Sequence, residues 1–294
     1  MNKVGFIGVG IMGKSMVRNL MKAGFELHIY ARTKSKVEDV ISEGAQFHES
    51  IKDCVQDCDA VITIVGFPQD VEEVYFDEGN ILDSAKKGAY LIDMTTTSPQ
   101  IAEKIYEEGT KRGFHVMDAP VTGGDTGAKA GTLSILVGGE KEDYEACMSL
   151  FEAMGTNINY QGKAGCGQHC KLANQIMIAG TLSGVCEALT YAKEQGLDPE
   201  VFMKSVAIGA AGSKQLDTFG PKILKDDYAP GFFMKHFIKD MKLALIEANR
   251  KGLSLDVLSM VLANYEELEQ EGYGDLGTQA LMKFYDEEHR NTEE

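Results

Sequence analysis

The strongest constraint on this chain lies in its first 24 residues. A short apolar run, Val4–Gly8, leads into Gly8-Val9-Gly10-Ile11-Met12-Gly13, and Ile11, Met12, Met16, Val17, Leu20 and Met21 follow at helical spacing until Gly24 closes the segment. G-x-G-x-x-G alone is a weak signal, because glycines cluster in many turns. Between a strand and a helix it is the arrangement that a dinucleotide pyrophosphate requires. Gly8 permits the tight turn, Gly10 lets the backbone approach the phosphates, and Gly13 lets the helix pack closely on the strand. The helix N-terminus then faces the negative charge. A glycine-rich turn without a ligand is the plainer alternative.

The rest of the first half keeps this rhythm. Leu27–Tyr30, Ala60–Val65, Tyr90–Asp93 and Phe114–Met117 read as short strands, and Ser98-Pro99 reads as an N-cap and first turn of a helix running to about Arg112. Strands alternating with helices predict a parallel sheet with crossover helices. From about Gly165 onward the pattern is helical. The expected fold is α/β: a Rossmann-type doubly wound sheet over 1–163, then an all-helical domain over 164–294. The charged tail from Asp286 is expected to fray.

Composition narrows the function classes. With 29 Lys+Arg against 45 Asp+Glu, the net charge is −16. Such a surface repels nucleic-acid backbones and anionic lipid, so neither is an expected partner. The longest uncharged stretch, Leu172–Cys186, is too short to span a bilayer and carries Asn, Gln, Thr and Ser. No secretory leader is visible at the start. The six cysteines are sparse and form no C-x-x-C pair, which fits reduced thiols in a cytoplasm.

Cofactor choice is read after the second strand. An NAD site places Asp or Glu there to accept from the ribose hydroxyls. This chain has Ala31-Arg32-Thr33-Lys34, with Lys36 beyond. Arg32 offers a planar guanidinium suited to a 2′-phosphate, with Thr33, Lys34 and Lys36 in support. NADP(H) is therefore expected over NAD(H). A solvated basic turn would look the same. Val65 and Gly66 fall at the carboxyl end of another strand, where open α/β sheets bind ligands.

Four segments occur in order: GFIGVGIMGKSM at 5–16, DAPVTGGDTGAKAGTLSILVGG at 118–139, GCGQHCKLANQ at 165–175 and KDMKLAL at 239–245. Together they resemble the β-hydroxyacid dehydrogenase family, which includes 3-hydroxyisobutyrate dehydrogenases, tartronate semialdehyde reductases, and glyoxylate and succinic semialdehyde reductases. The resemblance covers nearly the whole chain. It implies a Rossmann domain and a helical domain with the active site in the cleft between them, and a homodimer or homotetramer formed through the helical domain.

Each motif has its own chemistry. Thr122, Gly123 and Gly124 combine a hydroxyl with two exposed backbone N–H groups, a nest for a substrate carboxylate. The family commonly has Ser where this chain has Thr122. Lys171, at the start of an apolar helix, can donate a proton to a carbonyl oxygen as hydride arrives. A lone helical lysine is far more often a surface charge; its place in the motif makes it the catalytic candidate. Asn174 and Gln175 lie three and four residues on, hence on the same face, and could orient the lysine or the substrate. Relatives often carry Asn in place of Gln175. Lys239, beside Asp240, resembles the lysine that reaches the cofactor from the helical domain, and Thr96 resembles a residue near the nicotinamide ribose.

Cys166, His169 and Cys170 could share one helical face, but no fourth ligand is evident and no metal is expected. The expected activity is interconversion of a small 3-hydroxy acid and its semialdehyde, or of a small oxo acid such as glyoxylate. Two alternatives remain: imine reduction on the same scaffold, and a catalytically silent nucleotide-binding module. Family members with those properties tend to lack the lysine that stands here as Lys171.

Overall fold

In the computed structural model, residues 1–285 are described. The alternating half forms nine strands: β1 (Lys3–Ile7), β2 (Glu26–Tyr30), β3 (Gln46–Phe47), β4 (Ala60–Thr63), β5 (Tyr90–Asp93), β6 (His115–Asp118), β7 (Val121–Thr122), β8 (Leu133–Gly139) and β9 (Gly155–Gly162). They lie in one sheet in the order β3-β2-β1-β4-β5-β6-β8-β7, with β9 also paired to β8. β1 to β6 run parallel. The order reverses at β1, so the crevice between the turns after β1 and β4 is the topological switch point.

Apolar side chains fill both faces of this sheet, as buried parallel strands require. Phe6, Ile29 and Ile62 belong to one core and Ile7, Val61 and Leu91 to the other. Register decides where the strands end. Tyr30 pairs with Ile7, Ile7 with Thr63, Thr63 with Asp93, and Asp93 with Asp118. Five strands thus end on one row.

The sheet departs from the sequence expectation at its far edge. β8 runs antiparallel to β6 and β7, and β9 runs parallel to β8. β7 holds only two residues and β9 is mostly polar, so neither displays the continuous apolar run that marks the central strands. The expected strand Ala60–Val65 ends at Thr63: the Ile64 N–H still donates to the Ile7 carbonyl, but the Val65 N–H turns to the Thr95 hydroxyl.

The contacts divide the chain into two units, Met1–Lys171 and Leu172–Glu294. The division falls inside a continuous helix, Cys166–Glu194, just past the loop that the sequence marks as the boundary. The second unit adds helices Pro199–Ala207, Lys214–Ile223, Met234–Arg250 and Asp256–Gln270. Their starts follow from local chemistry: Asp198 accepts from the N–H groups of Glu200 and Val201 with Pro199 at the first position, and Ser213 accepts from Leu216. Among the described residues Cys166–Glu194 is the one helix whose length and composition would let it cross a membrane. Its buried Leu172, Ala179, Leu182, Cys186 and Leu189 recur at helical spacing within the core of the second unit. The charged tail from Asp286 lies outside the described residues.

The glycines of the first turn separate by role. Gly8 has φ of 97°, and a Cβ there would meet the Ile64 carbonyl oxygen at 2.1 Å. A Cβ on Gly13 would stand 2.2 Å from the Gly8 oxygen, which is backbone and cannot yield cheaply. At Gly10 a Cβ meets nothing within 4 Å. Gly13→Ala is therefore expected to lower unfolding free energy by about 1–3 kcal/mol, the range for overpacking. Gly10→Ala should stay within about 0.5 kcal/mol of wild type in denaturant melts without ligand. Equal losses in the two variants would contradict this division of labour.

Candidate active site

The first part of the site is the crevice above β1. The helix Ile11–Lys22 starts at Gly10 with no side-chain cap and no acidic residue in its first turn. Its leading N–H groups and positive dipole end are thus left for an anion. Gly10 is exposed, and its open Cβ direction gives the backbone cradle that a pyrophosphate fits. Met12 is half-buried against the core, whereas Ile11 is exposed beside the turn and Val9 is buried beneath it. These residues fit a nicotinamide dinucleotide.

On either side of this loop stand the ends of β2 and β4. Ala31 is half-buried; Arg32, Thr33 and Lys36 are exposed. The Arg32 guanidinium lies 3.2 Å from the Asp70 carboxylate. Lys34 pairs with Glu49 at 3.4 Å. Val65 and Gly66 are half-buried after β4, and the Val65 N–H donates to the Thr95 hydroxyl at 3.0 Å. That bond ties the turn after β4 to the turn after β5, where Thr96 sits.

A buried polar cluster lies under these turns. Asp93 Oδ1 accepts from the Thr63 hydroxyl at 2.8 Å and from the Thr95 N–H at 3.1 Å, and Thr63 also meets the Tyr75 hydroxyl at 3.1 Å. Asp93 Oδ2 is buried with no hydrogen-bond partner among the described residues. Burial pushes the Asp93 carboxyl up to about 6, against the pull of the Thr95 and Thr63 donors, and the Asp118 charge adds to the rise.

Asp118 does different work. Its Oδ1 accepts from the Gly165 N–H and its Oδ2 from the Gln168 N–H, both at 2.8 Å. Burial raises its carboxyl while those two N–H groups oppose the rise. A carboxylate at the end of β6 therefore caps the helix Cys166–Glu194 from outside that helix. The Gln168 side chain completes the attachment, donating to the Thr95 carbonyl at 2.7 Å and accepting from the Thr97 N–H at 3.0 Å. Close backbone approach is built in: a Cβ on Gly167 would meet the Leu136 oxygen at 2.4 Å.

Lys171 follows Gln168 by three residues and is 7 % exposed. The sequence pattern puts it at the helix start. The helix instead begins at Cys166, because Asp118 supplies the cap that the local sequence lacks. Asp118 and Gln168 are the residues that sequence reading misses. Both stand within the family-like segments at 118–139 and 165–175, but nothing local pairs a strand-end Asp with N–H groups 47 and 50 residues away.

Thr122 is the second residue of β7, half-buried and paired with Ser134. Gly123 and Gly124 follow with φ of 131° and 64°, and Gly123 is exposed. The loop leaves the same β6 end that carries Asp118.

In the second unit, Asn174 donates to the Gln175 side-chain oxygen at 2.8 Å, and Gln175 donates to Asp240 Oδ2 at 2.7 Å. Lys239 Nζ lies 2.9 Å from Asp240 Oδ1. Asp240 is fully buried, so the Lys-Asp pair is not the solvated helix pair that its sequence alone would permit. Among the described residues no three His, Cys, Asp or Glu side chains are grouped to hold a metal.

Two stretches match known families. Residues 3–162 match the NAD binding domain of 6-phosphogluconate dehydrogenase, and residues 165–285 match the NAD-binding family of NADP-dependent 3-hydroxyisobutyrate dehydrogenase. An uncharacterized oxidoreductase of Bacillus subtilis is 49 % identical over 96 % of this chain and 98 % of its own. A probable mitochondrial 3-hydroxyisobutyrate dehydrogenase-like protein of Arabidopsis thaliana is 44 % identical over 95 % of this chain and 84 % of its own. A Mycobacterium tuberculosis 3-hydroxyisobutyrate dehydrogenase solved with L-serine superposes with a TM-score of 0.88 at 26 % identity, covering 97 % of this chain and 99 % of that one.

Asp93 yields a pH test. A carboxyl raised from 3.8 to about 6 binds more protons folded than unfolded between those values. Stability then falls as pH rises through that window and levels off above it. At roughly 1.4 kcal/mol per unit the loss is about 3 kcal/mol. Asp93→Asn should remove this slope, gaining on wild type by up to that amount between pH 4 and pH 7 in denaturant titrations. Parallel pH profiles for the two proteins would refute it.

Proposed function

The chain belongs to the 3-hydroxyisobutyrate dehydrogenase family of nicotinamide-dependent oxidoreductases acting on hydroxy acids, and from that premise we propose that it interconverts a small carboxylate-bearing semialdehyde, or an oxo acid such as glyoxylate, with the corresponding hydroxy acid, using NADP(H) in preference to NAD(H). The observation that carries this reading is the attachment of the helix start to the sheet. Asp118 and Gln168 fix the turn before Lys171 against the Thr95–Thr97 loop.

When bound, the nicotinamide supplies or accepts the hydride. Lys171 donates the proton to the carbonyl oxygen in reduction and removes it in oxidation, and its buried ammonium stabilises negative charge as it develops there. Thr122 donates its hydroxyl to the substrate carboxylate, with the Gly123 and Gly124 N–H groups beside it. The Asn174–Gln175–Asp240–Lys239 chain keeps its polar ends ordered, with Gln175 long enough to reach Asp240. Exposed Met177, Ile246, Val257 and Met260 support assembly into a homodimer or homotetramer through the helical unit. All six cysteines are free thiols, which supports a cytoplasmic setting.

Two measurements test the reading. Lys171→Ala should lower kcat by roughly a hundredfold or more, the scale of lost acid–base catalysis, with cofactor Kd nearly unchanged; turnover close to wild type would remove the lysine from its role. For the cofactor, kcat/KM should favour NADPH over NADH by about tenfold to a hundredfold, the worth of one hydrogen bond to a charged group. Arg32→Ala should erase most of that preference. A wild-type ratio at or below one would defeat the NADP assignment.

A further inference from the structure

The turn after β2 lacks a carboxylate, yet the fold brings one to it. Arg32 and Asp70 are 38 positions apart in sequence, and Arg32 Nη1 lies 3.2 Å from Asp70 Oδ1. Arg32 leaves the end of β2 and Asp70 stands in the first turn of the helix Pro68–Phe76 that follows β4. With β1 between those strands, the pair spans about 10 Å of sheet at the spacing of neighbouring strands. It therefore bridges the switch-point crevice beside the glycine turn.

The two partners are not held equally. Asp70 Oδ2 accepts from the Phe67 N–H at 2.9 Å, so its carboxylate is fixed at the helix start. The Asp70 side chain is 18 % exposed and that of Arg32 is 73 % exposed. Asp70 is the anchored member and Arg32 the movable one.

We propose that Asp70 is a specificity-determining residue for the group on the 2′ position of the adenine-side ribose, acting through Arg32. While Arg32 pairs with Asp70, its charge is balanced. A ribose 2′-phosphate must then share the guanidinium with a carboxylate or displace it. Asp70 so narrows the discrimination that Arg32 alone would give. A ribose bearing a 2′-hydroxyl meets no such competition, because it does not need the guanidinium. This inference rests on the proposal that Arg32 receives the 2′-phosphate. Its direction does not depend on which cofactor the wild-type protein prefers.

The test is binding rather than turnover. Isothermal titration of the full-length protein with adenosine 2′,5′-bisphosphate and with 5′-AMP compares wild type, Asp70→Asn, Arg32→Ala and the double variant. Asn keeps an acceptor for the Phe67 N–H; if Asp70→Asn fails to fold, Asp70→Ser takes its place. Asp70→Asn should tighten bisphosphate binding about threefold to tenfold and leave 5′-AMP within about twofold. In the Arg32→Ala background the same change should shift bisphosphate binding by less than about twofold. If Arg32→Ala weakens the bisphosphate but Asp70→Asn does not tighten it, Asp70 has no such role and the Arg32 assignment stands. If Asp70→Asn tightens it equally without Arg32, Asp70 acts by direct repulsion and the coupling is wrong. If Arg32→Ala itself leaves bisphosphate binding unchanged, the Arg32 assignment fails and the role of Asp70 with it.

Discussion

The structure depends on one in-register row: Tyr30, Ile7, Thr63, Asp93 and Asp118, each the last residue of its parallel strand. Because the strands end together, the turns beyond them open on one edge. The glycine turn, the Arg32 turn, Val65, Thr96 and the Thr122 loop all leave from there or close beyond it. A one-residue slip in any strand would turn its side chains to the opposite face and shift its turn out of line. The apolar cores on both faces resist that slip, since each strand would have to exchange its two buried sets.

The two acids in that row show how position decides role. Asp93 is enclosed by hydroxyls and one N–H, and its second oxygen finds no partner among the described residues. Asp118 has both oxygens satisfied by the start of a helix. Burial favours the neutral form of both carboxyls, and at Asp118 two backbone N–H donors oppose that rise. Asp93 therefore stores a pH-dependent cost, and Asp118 fastens the Gly165–Gln168 turn to the end of β6.

Much of this is legible in the sequence, for physical reasons. Gly8-Val9-Gly10-Ile11-Met12-Gly13 declares itself because only glycine survives at Gly8 and Gly13, where a Cβ would meet backbone. The apolar runs of β1, β4 and β5 are continuous because both sheet faces are covered. Ser98-Pro99 marks its helix through local capping chemistry, and Ser98 does accept from the Ile101 N–H. The illegible part is non-local. Asp118 and Gln168 act on partners dozens of residues away. Asp70 reaches Arg32 only because β2 and β4 flank β1. β7 and β9 are held by pairing with β8 rather than by their own apolar patterns. The Gln175–Asp240 bond joins two helices whose sequence signals are separate.

The proposed activity requires direct hydride transfer between the nicotinamide and the carbonyl carbon of a small carboxylate-bearing substrate. Isotope tracing tests it most directly. The protein is incubated with NADPH carrying deuterium at both nicotinamide C4 positions, together with glyoxylate, succinic semialdehyde, tartronate semialdehyde and methylmalonate semialdehyde in turn. Mass spectrometry and proton NMR then locate the label in each product. The expected result is a hydroxy acid from at least one substrate with one deuterium on the new carbinol carbon. Oxidation of the cofactor with no deuterium on that carbon, or no hydroxy acid from any of the four, would contradict direct transfer.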